Sequence, residues 1–304
     1  AVMLMSEARA NQLGLPILAR LAGQASAGVD PAIMGIGPVS ATRRCLERAG
    51  LAIADVDVLV VASTSGIAAP SLDALLVERL EMRRTVQRLP IFGLGCAGGV
   101  IGMARAGALA RAMPGANVVF AVVELCGLTF RFKDRSKSNV IATALFGDGA
   151  AAAVVNTEMS GPELFAWGEH TWPDTLEIMG WRIEDDGFGV LFSRDIPNLV
   201  RSKMRHAAEQ FLADNDLALE DIDEFVCHPG GAKVLTALEE AFGLQSGSLA
   251  HGRETLRQYG NMSAATIMFV LERSLQHNGA SGARRLMSSL GPGFTAGFLV
   301  LDGA

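Results

Sequence analysis

Residues 95–113 read GCAGGVIGMARAGALARAM, and residues 260–275 read GNMSAATIMFVLERSL. Each stretch opens with Gly, continues with a chemically useful residue, Cys96 or Asn261, and then follows a pattern typical of an apolar helix. The two stretches lie 165 residues apart, and two further pairs of segments repeat at nearly the same distance. These pairs are LAIADVDVLVV at 51–61 with LALEDIDEFVC at 217–227, and NVVFAVVEL at 117–125 with ARRLMSSLG at 283–291. The nearly equal separation of all three pairs of segments indicates an internal duplication.

The duplication predicts an α/β fold made of two βαβ-type halves. Each half ends on a glycine-led apolar strand, GDGAAAAVV at 147–155 and GPGFTAGFLVL at 291–301. Strands that alternate with helices predict a mostly parallel sheet covered by helices on both faces. We therefore expect an N-terminal half over residues 1–155 and a C-terminal half over residues 156–304. Between them, EIMGWRIEDDGFGVLF at 177–192 predicts a β-hairpin that turns at residues 185–187, near the active site.

Composition excludes several classes of protein. The chain has 304 residues, of which 50% are hydrophobic and 19% are charged, so it can fill a large core and is not disordered. A net charge of −6 disfavours nucleic acid as a partner. No apolar run reaches the roughly 18 residues of a membrane span, because Arg105 and Arg111 interrupt the longest. The four cysteines show no metal-ligand spacing, so we expect reduced thiols, a cytoplasmic protein and no metal site.

Cys96 is a candidate nucleophile. It follows a glycine at a predicted helix start, where free N–H groups and the positive end of the helix dipole stabilise a thiolate and lower the pKa of the thiol. The flanking LGCAGG leaves room for an acyl thioester against the backbone. A cysteine in such a place is, on its own, more often a buried structural residue. Cys45 is assigned no role.

His228 and Asn261 complete a candidate catalytic set. His228 ends the strand EFVC and precedes PGG, which places it at the carboxyl end of a strand, where catalytic groups gather in α/β sheets. Asn261 occupies the helix-start position that corresponds to Cys96. Each residue also has a purely structural alternative. His228 could be a core histidine whose hydrogen bonds are made within the protein, and Asn261 could be a helix N-cap. Together the three suit acyl transfer, with His228 holding Cys96 as a thiolate and shuttling protons, and His228 and Asn261 donating to an oxyanion or enolate.

Several longer stretches carry a family resemblance. From about residue 56 to the end, the chain resembles a bacterial type III polyketide synthase of the chalcone synthase superfamily. The matching stretches are STSGIAAPSLDALL, RLPIFGLGCAGG, VELCGLTF, SNVIATALFGDGAAA, DDGFGVLFSRDIP, CHPGGAKVL, RQYGNMSAAT and SLGPGF. The resemblance implies a thiolase fold in a layered αβαβα arrangement, a homodimer, acyl-CoA and malonyl-CoA as substrates, and no metal or organic cofactor.

The same resemblance implies roles for individual residues. It places the nucleophile at Cys96, the catalytic histidine at His228 and the asparagine at Asn261. It assigns the gatekeeper position between acyl cavity and CoA tunnel to Phe146, and a second, often aromatic, gate to Val190. The remaining substrate-binding positions that it implies are Cys126, Thr129 and the loop formed by Gly291, Pro292 and Gly293.

The first 50 residues do not follow that family. They resemble instead the middle of a thiolase, although the chain lacks the CxGGGxG motif that carries the second catalytic cysteine of thiolases. They also lack the basic residues with which the polyketide synthases contact CoA near their amino terminus, a role for which Arg43 and Arg44 are the available substitutes. Because the halves of the fold are equivalent, PILARLAGQA and ATRRCLERAG can supply its first strand and first helix.

Three other functions fit parts of the sequence. A ketoacyl synthase III shares the three catalytic residues but takes malonyl from acyl carrier protein, and VELCGLTF and ALFGDG match it less well. A thiolase would form acetoacetyl-CoA from acetyl-CoA, but needs the missing second cysteine. A non-catalytic scaffold of the same fold would show no fast alkylation of Cys96 relative to Cys45. The leading hypothesis is decarboxylative condensation of malonyl-CoA onto a starter carried by Cys96, followed by cyclisation.

Overall fold

The computed structural model describes residues 20–28, 36–185, 187–277 and 282–303. The strands within these ranges are β1 (Arg20–Ala27), β2 (Val58–Ala62), β3 (Gln87–Ile91), β4 (Val118–Leu125), β5 (Asp148–Asn156), β6 (Glu163–Thr171), β7 (Met179–Glu184), β8 (Gly187–Phe192), β9 (Glu224–Cys227), β10 (Arg285–Gly291) and β11 (Thr295–Asp302). The helices are α1 (Gly37–Ala49), α2 (Leu72–Arg79), α3 (Gly98–Ala112), α4 (Lys137–Leu145), α5 (Ile196–Leu199), α6 (Arg205–Ala213), α7 (Ala232–Phe242), α8 (Ala250–Tyr259) and α9 (Thr266–His277). Within the described ranges, no helix is long and apolar enough to cross a membrane.

Nine of the strands are hydrogen-bonded in the order β3-β2-β4-β5-β1-β6-β11-β10-β9. Outwards from the β1–β6 junction, the order β1-β5-β4-β2 on one side corresponds to β6-β11-β10-β9 on the other, and β3 is an additional edge strand beyond β2. At the junction, Arg20 pairs with Glu163. The mirrored halves match the internal duplication. The division at residue 155 stays a prediction.

The sheet is mixed, so the expectation of a mostly parallel sheet is wrong. β2 runs parallel to β3 and β4, and β9 runs parallel to β10. β5 is antiparallel to both of its neighbours, and so is β11. The antiparallel pairing of β10 with β11 follows from their connection, because a short turn can join antiparallel strands only.

The strands separate three apolar cores. In β2, Val58, Val60 and Ala62 face a central core, whereas Leu59 and Val61 face an outer one. Helices α3 and α9 fill the central core, α1 and α2 cover the N-terminal half, and α6 and α7 cover the C-terminal half. The resulting order is helix, sheet, helix, sheet, helix. The predicted layered αβαβα arrangement is therefore confirmed.

Residues near the start of the chain supply the first strand and first helix, as predicted. β1 pairs with β5 from Arg20 to Ala27, and α1 packs on both strands. Cys45 of α1 is fully buried in the outer core of this half, in keeping with its having no assigned role. Residues 1–19 and 29–35 of the thiolase-like segment lie outside the described residues, as does Asp186 in the predicted hairpin turn.

Helix α3 packs closely against the start of α9 at Gly99. A Cβ on Gly99 would lie 2.3 Å from the Ala264 carbonyl oxygen and 2.3 Å from Cγ2 of Ile267. Contacts below 3 Å force the backbone apart. The two helix starts therefore stay together only while position 99 has no side chain.

We predict that Gly99→Ala lowers the free energy of unfolding by about 2 kcal/mol, because overpacking outweighs the roughly 1 kcal/mol that alanine gains as a helix former. Urea denaturation measures this. Gly28→Ala is the matched control, since a Cβ there meets no atom of the described residues within 4 Å, and it should change stability by less than about 0.5 kcal/mol. Equal midpoints for the two variants would contradict the packing argument.

Candidate active site

Residues from both halves open onto one cavity of about 690 Å³, a volume that includes its mouth. Cys96, His228 and Asn261 all line it, as the sequence predicts. Apolar side chains make up most of the remaining wall: Met179, Trp181, Val190, Leu191, Phe192, Ile196, Val234 and Leu290. The three polar side chains are therefore presented to a substrate inside an apolar chamber.

Cys96 lies in a 3-10 turn, Gly95–Ala97, that leads into α3. Gly95 has a φ of 49°, and a Cβ on it would lie 2.5 Å from Cδ of Pro292. The Gly95 N–H donates to Oγ1 of Thr64 at 2.9 Å. The sequence thus needs glycine before Cys96 for both conformation and space.

The thiol of Cys96 has two oxygen neighbours. Its Sγ lies 3.9 Å from Oδ1 of Asn261 and 3.8 Å from Oγ of Ser263, and either oxygen can accept the S–H. The side chain is partly exposed to the cavity and surrounded by protein elsewhere. That burial raises the pKa of the Cys96 thiol to about 12, and it outweighs the lowering by Ser263 and Asn261. The expectation of a lowered pKa is therefore wrong for the free protein.

His228 follows β9 and is 4% exposed. Its backbone N–H donates to the Ser288 carbonyl at 2.8 Å, which fixes the strand end. Among the described residues, neither Nδ1 nor Nε2 has a hydrogen-bond partner. Burial lowers the pKa of His228 to about 3, so the ring is neutral at physiological pH. Burial therefore favours the neutral forms of both the Cys96 thiol and the His228 imidazole, and the role of His228 in holding a thiolate stays a prediction.

Asn261 combines both roles considered for it. Its Oδ1 accepts the Ser263 N–H at 2.9 Å, which is the capping role, and its Nδ2 donates to the Gly230 carbonyl at 3.3 Å. Its backbone bonds to the segment around Phe146, with the Asn261 N–H donating to the Leu145 carbonyl at 2.8 Å. Its second carboxamide N–H has no partner within the part of the chain that the structure describes and can donate to a ligand in the cavity.

The predicted cavity positions are brought together in part. Phe146, Cys126 and Val190 line the catalytic cavity and also a side cavity, which Thr129 lines as well. Phe146 packs edge-on against Trp181 with 6.2 Å between ring centroids. Thr129 is absent from the catalytic cavity wall, and its hydroxyl donates to the Cys126 carbonyl at 2.7 Å.

Of the predicted glycine-proline loop, only Pro292 lines the cavity. A Cβ on Gly291 would lie 2.3 Å from the Leu94 carbonyl oxygen, so this residue packs behind the cysteine turn. Gly293 has a φ of 99° in the turn between β10 and β11. Gly291 therefore lies behind the wall, and the substrate-binding role of the loop formed by Gly291, Pro292 and Gly293 stays a prediction.

Sequence reasoning missed several residues. Ser263 has a φ of 46°, which is rare for a residue with a side chain, and its hydroxyl faces Cys96. Trp181 and Met179 enter the wall from the predicted hairpin, whose strands β7 and β8 pair as expected. The single tryptophan within EIMGWRIEDDGFGVLF was the available signal.

Glu124 is a buried carboxylate beside the site. Its Oε2 accepts the N–H groups of Thr64 and Ser65 at 3.1 and 2.9 Å, and the Ser65 hydroxyl at 2.6 Å. Burial raises the pKa of Glu124, while the Ser65 and Thr64 hydrogen bonds oppose the rise. In the sequence, Glu124 could have been found as the one acidic residue within the apolar strand VVFAVVEL. Its bonds fix the loop that holds the Gly95 N–H through Thr64.

Comparison with known proteins gives consistent matches. The sequence models for the N-terminal and C-terminal domains of chalcone and stilbene synthases match residues 27–159 and 164–304. The chain is 41% identical over 263 residues to 1,3,6,8-tetrahydroxynaphthalene synthase from Streptomyces peucetius subsp. caesius, covering 84% of this chain and 70% of that protein. It is 32% identical over 269 residues to type III polyketide synthase C from Arabidopsis thaliana, covering 84% and 70%. The crystal structure of 1,3,6,8-tetrahydroxynaphthalene synthase from Streptomyces coelicolor A3(2) superposes with a TM-score of 0.83 at 29% identity, covering 88% and 76%.

We predict that alkylation of Cys96 by iodoacetamide accelerates about tenfold per pH unit between pH 7 and 9, because the thiolate reacts and the pKa of the thiol lies near 12. Mass spectrometry of modified peptides measures the rate. Cys45, with a similarly raised pKa but no exposure, should stay unlabelled in the folded protein. A rate that levels off near neutral pH would show that the thiolate forms easily and would contradict the neutral site.

We predict that stability falls as the pH drops from 6.5 towards 4, because the unfolded imidazole of His228 takes up a proton that the buried ring refuses. One such group contributes at most about 1.4 kcal/mol per pH unit. His228→Gln should remove this part of the slope in urea denaturation across that pH range. His206→Gln, at an exposed position, should leave the slope unchanged, and equal slopes in all three proteins would refute the assignment.

Proposed function

Because this chain belongs to the chalcone and stilbene synthase family of acyl-transferring polyketide synthases, we propose that it extends a starter held on Cys96 with malonyl-CoA. The observation that carries the proposal is the opening of Cys96, His228 and Asn261 onto one apolar cavity. The chemistry needs no metal or organic cofactor, because a sulfur, an imidazole and a carboxamide supply every group.

Loading is the first step. The sulfur of Cys96 attacks the thioester carbonyl of the acyl-CoA starter, a new C–S bond forms, and the bond to the CoA sulfur breaks. The His228 ring is kept neutral by burial, and neither of its nitrogens bonds to any described residue. It accepts the thiol proton as the C–S bond forms and delivers it to the departing CoA sulfur. Because the proton moves during the attack, the raised pKa of the thiol does not require a standing thiolate.

Decarboxylation follows in the same chamber. The carboxylate of malonyl-CoA is poorly solvated against walls such as Trp181 and Ile196, which favours its loss as carbon dioxide. The bonding electrons move to the thioester oxygen and form an enolate. An N–H of His228 and the free N–H of Asn261 can donate to that oxygen, and a carboxamide adds no opposing negative charge.

Condensation closes the cycle. The enolate carbon attacks the acyl thioester on Cys96, a C–C bond forms, and the sulfur of Cys96 leaves as a thiolate. A proton from solvent, relayed through His228, then restores the thiol. The lengthened chain is now a CoA thioester and can reload. Phe146 and Val190 lie where the catalytic and side cavities join, so they are placed to limit chain length.

A homodimer is part of the proposal. The outermost strand β3 is exposed along most of its length. Leu89 within it and Phe92 directly after it expose 36% and 47% of their surfaces. An open strand edge with apolar neighbours is suited to pairing with a second copy. A cytoplasmic location is also proposed, and the four free cysteines suit a reducing compartment.

We predict that Cys96→Ala abolishes both starter loading and chain extension, whereas Asn261→Ala still loads but condenses about 100-fold or more slowly, having lost an enolate donor. Acyl-CoA starters of graded length with malonyl-CoA, followed by mass spectrometry of protein and products, separate the two steps. Cys45→Ala is the control and should behave as wild type.

Two outcomes would overturn the assignment. Unchanged product from Cys96→Ala would remove Cys96 as the nucleophile. Extension that requires malonyl on acyl carrier protein, with none from malonyl-CoA, would make the protein a ketoacyl synthase rather than a polyketide synthase.

A further inference from the structure

A polar cleft lies on the outer side of the cavity wall that β8 forms. Val190 and Leu191 line both this cleft and the catalytic cavity, so a single strand separates the two spaces. The cleft has a volume of about 880 Å³, including its mouth, and its other walls come from the loop at 131–138 and from β7. The position of β8 therefore determines whether the catalytic cavity is closed on this side.

The hairpin of β7 and β8 is attached to the rest of the protein outside the main sheet. Among the described residues, its two strands pair with each other and form a sheet separate from the nine others. The Ser193 N–H donates to the Ile178 carbonyl at 2.9 Å and closes the base of the hairpin. Strand β8 also contacts α4 and the turn at 126–129. The end of the hairpin remote from its base depends on side-chain contacts for its position.

An ion pair joins that end of the hairpin to the facing loop. Nη2 of Arg131 lies 2.8 Å from Oε2 of Glu184, the last residue of β7, and Nη1 of Arg131 lies 3.7 Å from Oδ2 of Asp134. The Arg131 and Glu184 side chains are only 14% and 38% exposed. Because water is partly excluded, this charged hydrogen bond is stronger than a fully exposed ion pair. We call Arg131 and Glu184 the hairpin clasp.

The loop that carries Arg131 is fixed by Asn139 in the first turn of α4. Nδ2 of this buried asparagine donates to the carbonyl oxygens of Arg131 and Asp134 at 3.0 and 2.8 Å. The Asn139 N–H donates to Oγ of Ser136 at 3.2 Å, which caps the helix. The guanidinium of Arg131 is therefore held at a fixed place, and the hairpin is the partner that the ion pair restrains.

Gly189 on β8 leaves the space that the hairpin clasp occupies. A Cβ on Gly189 would lie 2.6 Å from Oε1 of Glu184 and 3.2 Å from Nη1 of Arg131. The ion pair therefore runs directly across the backbone of β8 at this point. A side chain at position 189 would displace the Glu184 carboxylate while leaving both charges in the protein.

A second ion pair on the same hairpin provides a contrast. Arg182 of β7 pairs with Glu177 at 3.1 Å, and the two side chains are 58% and 78% exposed. Both residues belong to the segment that leads through β7, so this pair does not connect the hairpin to the loop at 131–138. Such an exposed local pair contributes little to the position of the hairpin.

We propose that Arg131 and Glu184 are positioning residues that hold β8 closed over the catalytic cavity and thereby restrict the length of the product chain. The hairpin carries Trp181 and Val190 into the cavity wall, and Trp181 packs against Phe146. Movement of the hairpin would move these side chains together and widen the cavity. The effect on products rests on the proposed function, whereas the restraint on the hairpin does not.

Hydrogen exchange followed by mass spectrometry tests the restraint without any turnover. In Arg131→Met and in Glu184→Gln, the amides of residues 179–192 should exchange about 5- to 10-fold faster than in wild type, while those of β10 keep their rates. The double variant should exchange no faster than either single variant, because both substitutions remove the same interaction. Arg182→Met is the matched control and should exchange as wild type does.

Product analysis tests the consequence for the reaction. With an acyl-CoA starter and malonyl-CoA, Arg131→Met and Glu184→Gln should at least double the share of products that differ in length from the main wild-type product. The KM for malonyl-CoA should stay within twofold of wild type, since neither residue lines the catalytic cavity. Gly189→Ala should reproduce this product pattern, and Arg131→Lys, which keeps the charge, should restore most of the wild-type pattern. A merely structural role would lower the yield without changing the product ratio.

Three results would overturn the proposal. The first is an unchanged exchange rate at residues 179–192 in both single variants. The second is equal acceleration in the hairpin and in β10, which would mean general destabilisation. The third is a faster-exchanging hairpin with a wild-type product pattern, which would remove the hairpin clasp as a determinant of product length. If wild-type protein formed no polyketide at all, the proposed function would fail, and the exchange rates would still decide whether Arg131 and Glu184 restrain the hairpin.

Discussion

The chemistry of this protein depends on how closely two helix starts approach each other. Gly99 allows α3 to touch the backbone at Ala264, and Gly95 leaves room for Pro292. With those contacts in place, the turns at 95–97 and 263–265 lie side by side. Sγ of Cys96 then comes within 3.9 Å of the Asn261 carboxamide, a residue 165 positions away in the chain. Close packing between helices in the central core thereby sets the geometry of the reactive groups.

Much of this arrangement was predictable because it repeats in the sequence. The duplication predicted the layers, and it predicted that Cys96 and Asn261 would meet, since equivalent positions in two halves converge on the symmetry axis. The strand-end position of His228 led to the same cavity. The sheet directions were predicted less well, because alternating helices and strands say nothing about which strands become neighbours. A turn as short as that before β11 imposes an antiparallel pair.

The protonation state of Cys96 and the composition of the cavity wall could not be predicted from short stretches of sequence. Helix starts lower the pKa of a thiol when water is near, but at Cys96 the loss of hydration is larger and has the opposite sign. That loss comes from residues scattered over the whole chain, such as Trp181 and Leu290, whose common position only the fold reveals. The packing of Gly291 behind the cysteine turn was hidden for a related reason, since a motif match does not tell the inner face of a loop from the outer one.

The hairpin of β7 and β8 forms a sheet of its own, separate from the nine strands that carry the reactive residues. It nevertheless supplies Trp181, Val190 and Phe192 to the chamber. Substitutions in the hairpin therefore change the shape of the cavity in which the polyketide chain cyclises. They leave Cys96, His228 and Asn261 in place on the nine-stranded sheet and its helices. Because the cavity wall and the catalytic residues belong to separate parts of the fold, the product can change during evolution while the condensation chemistry stays the same.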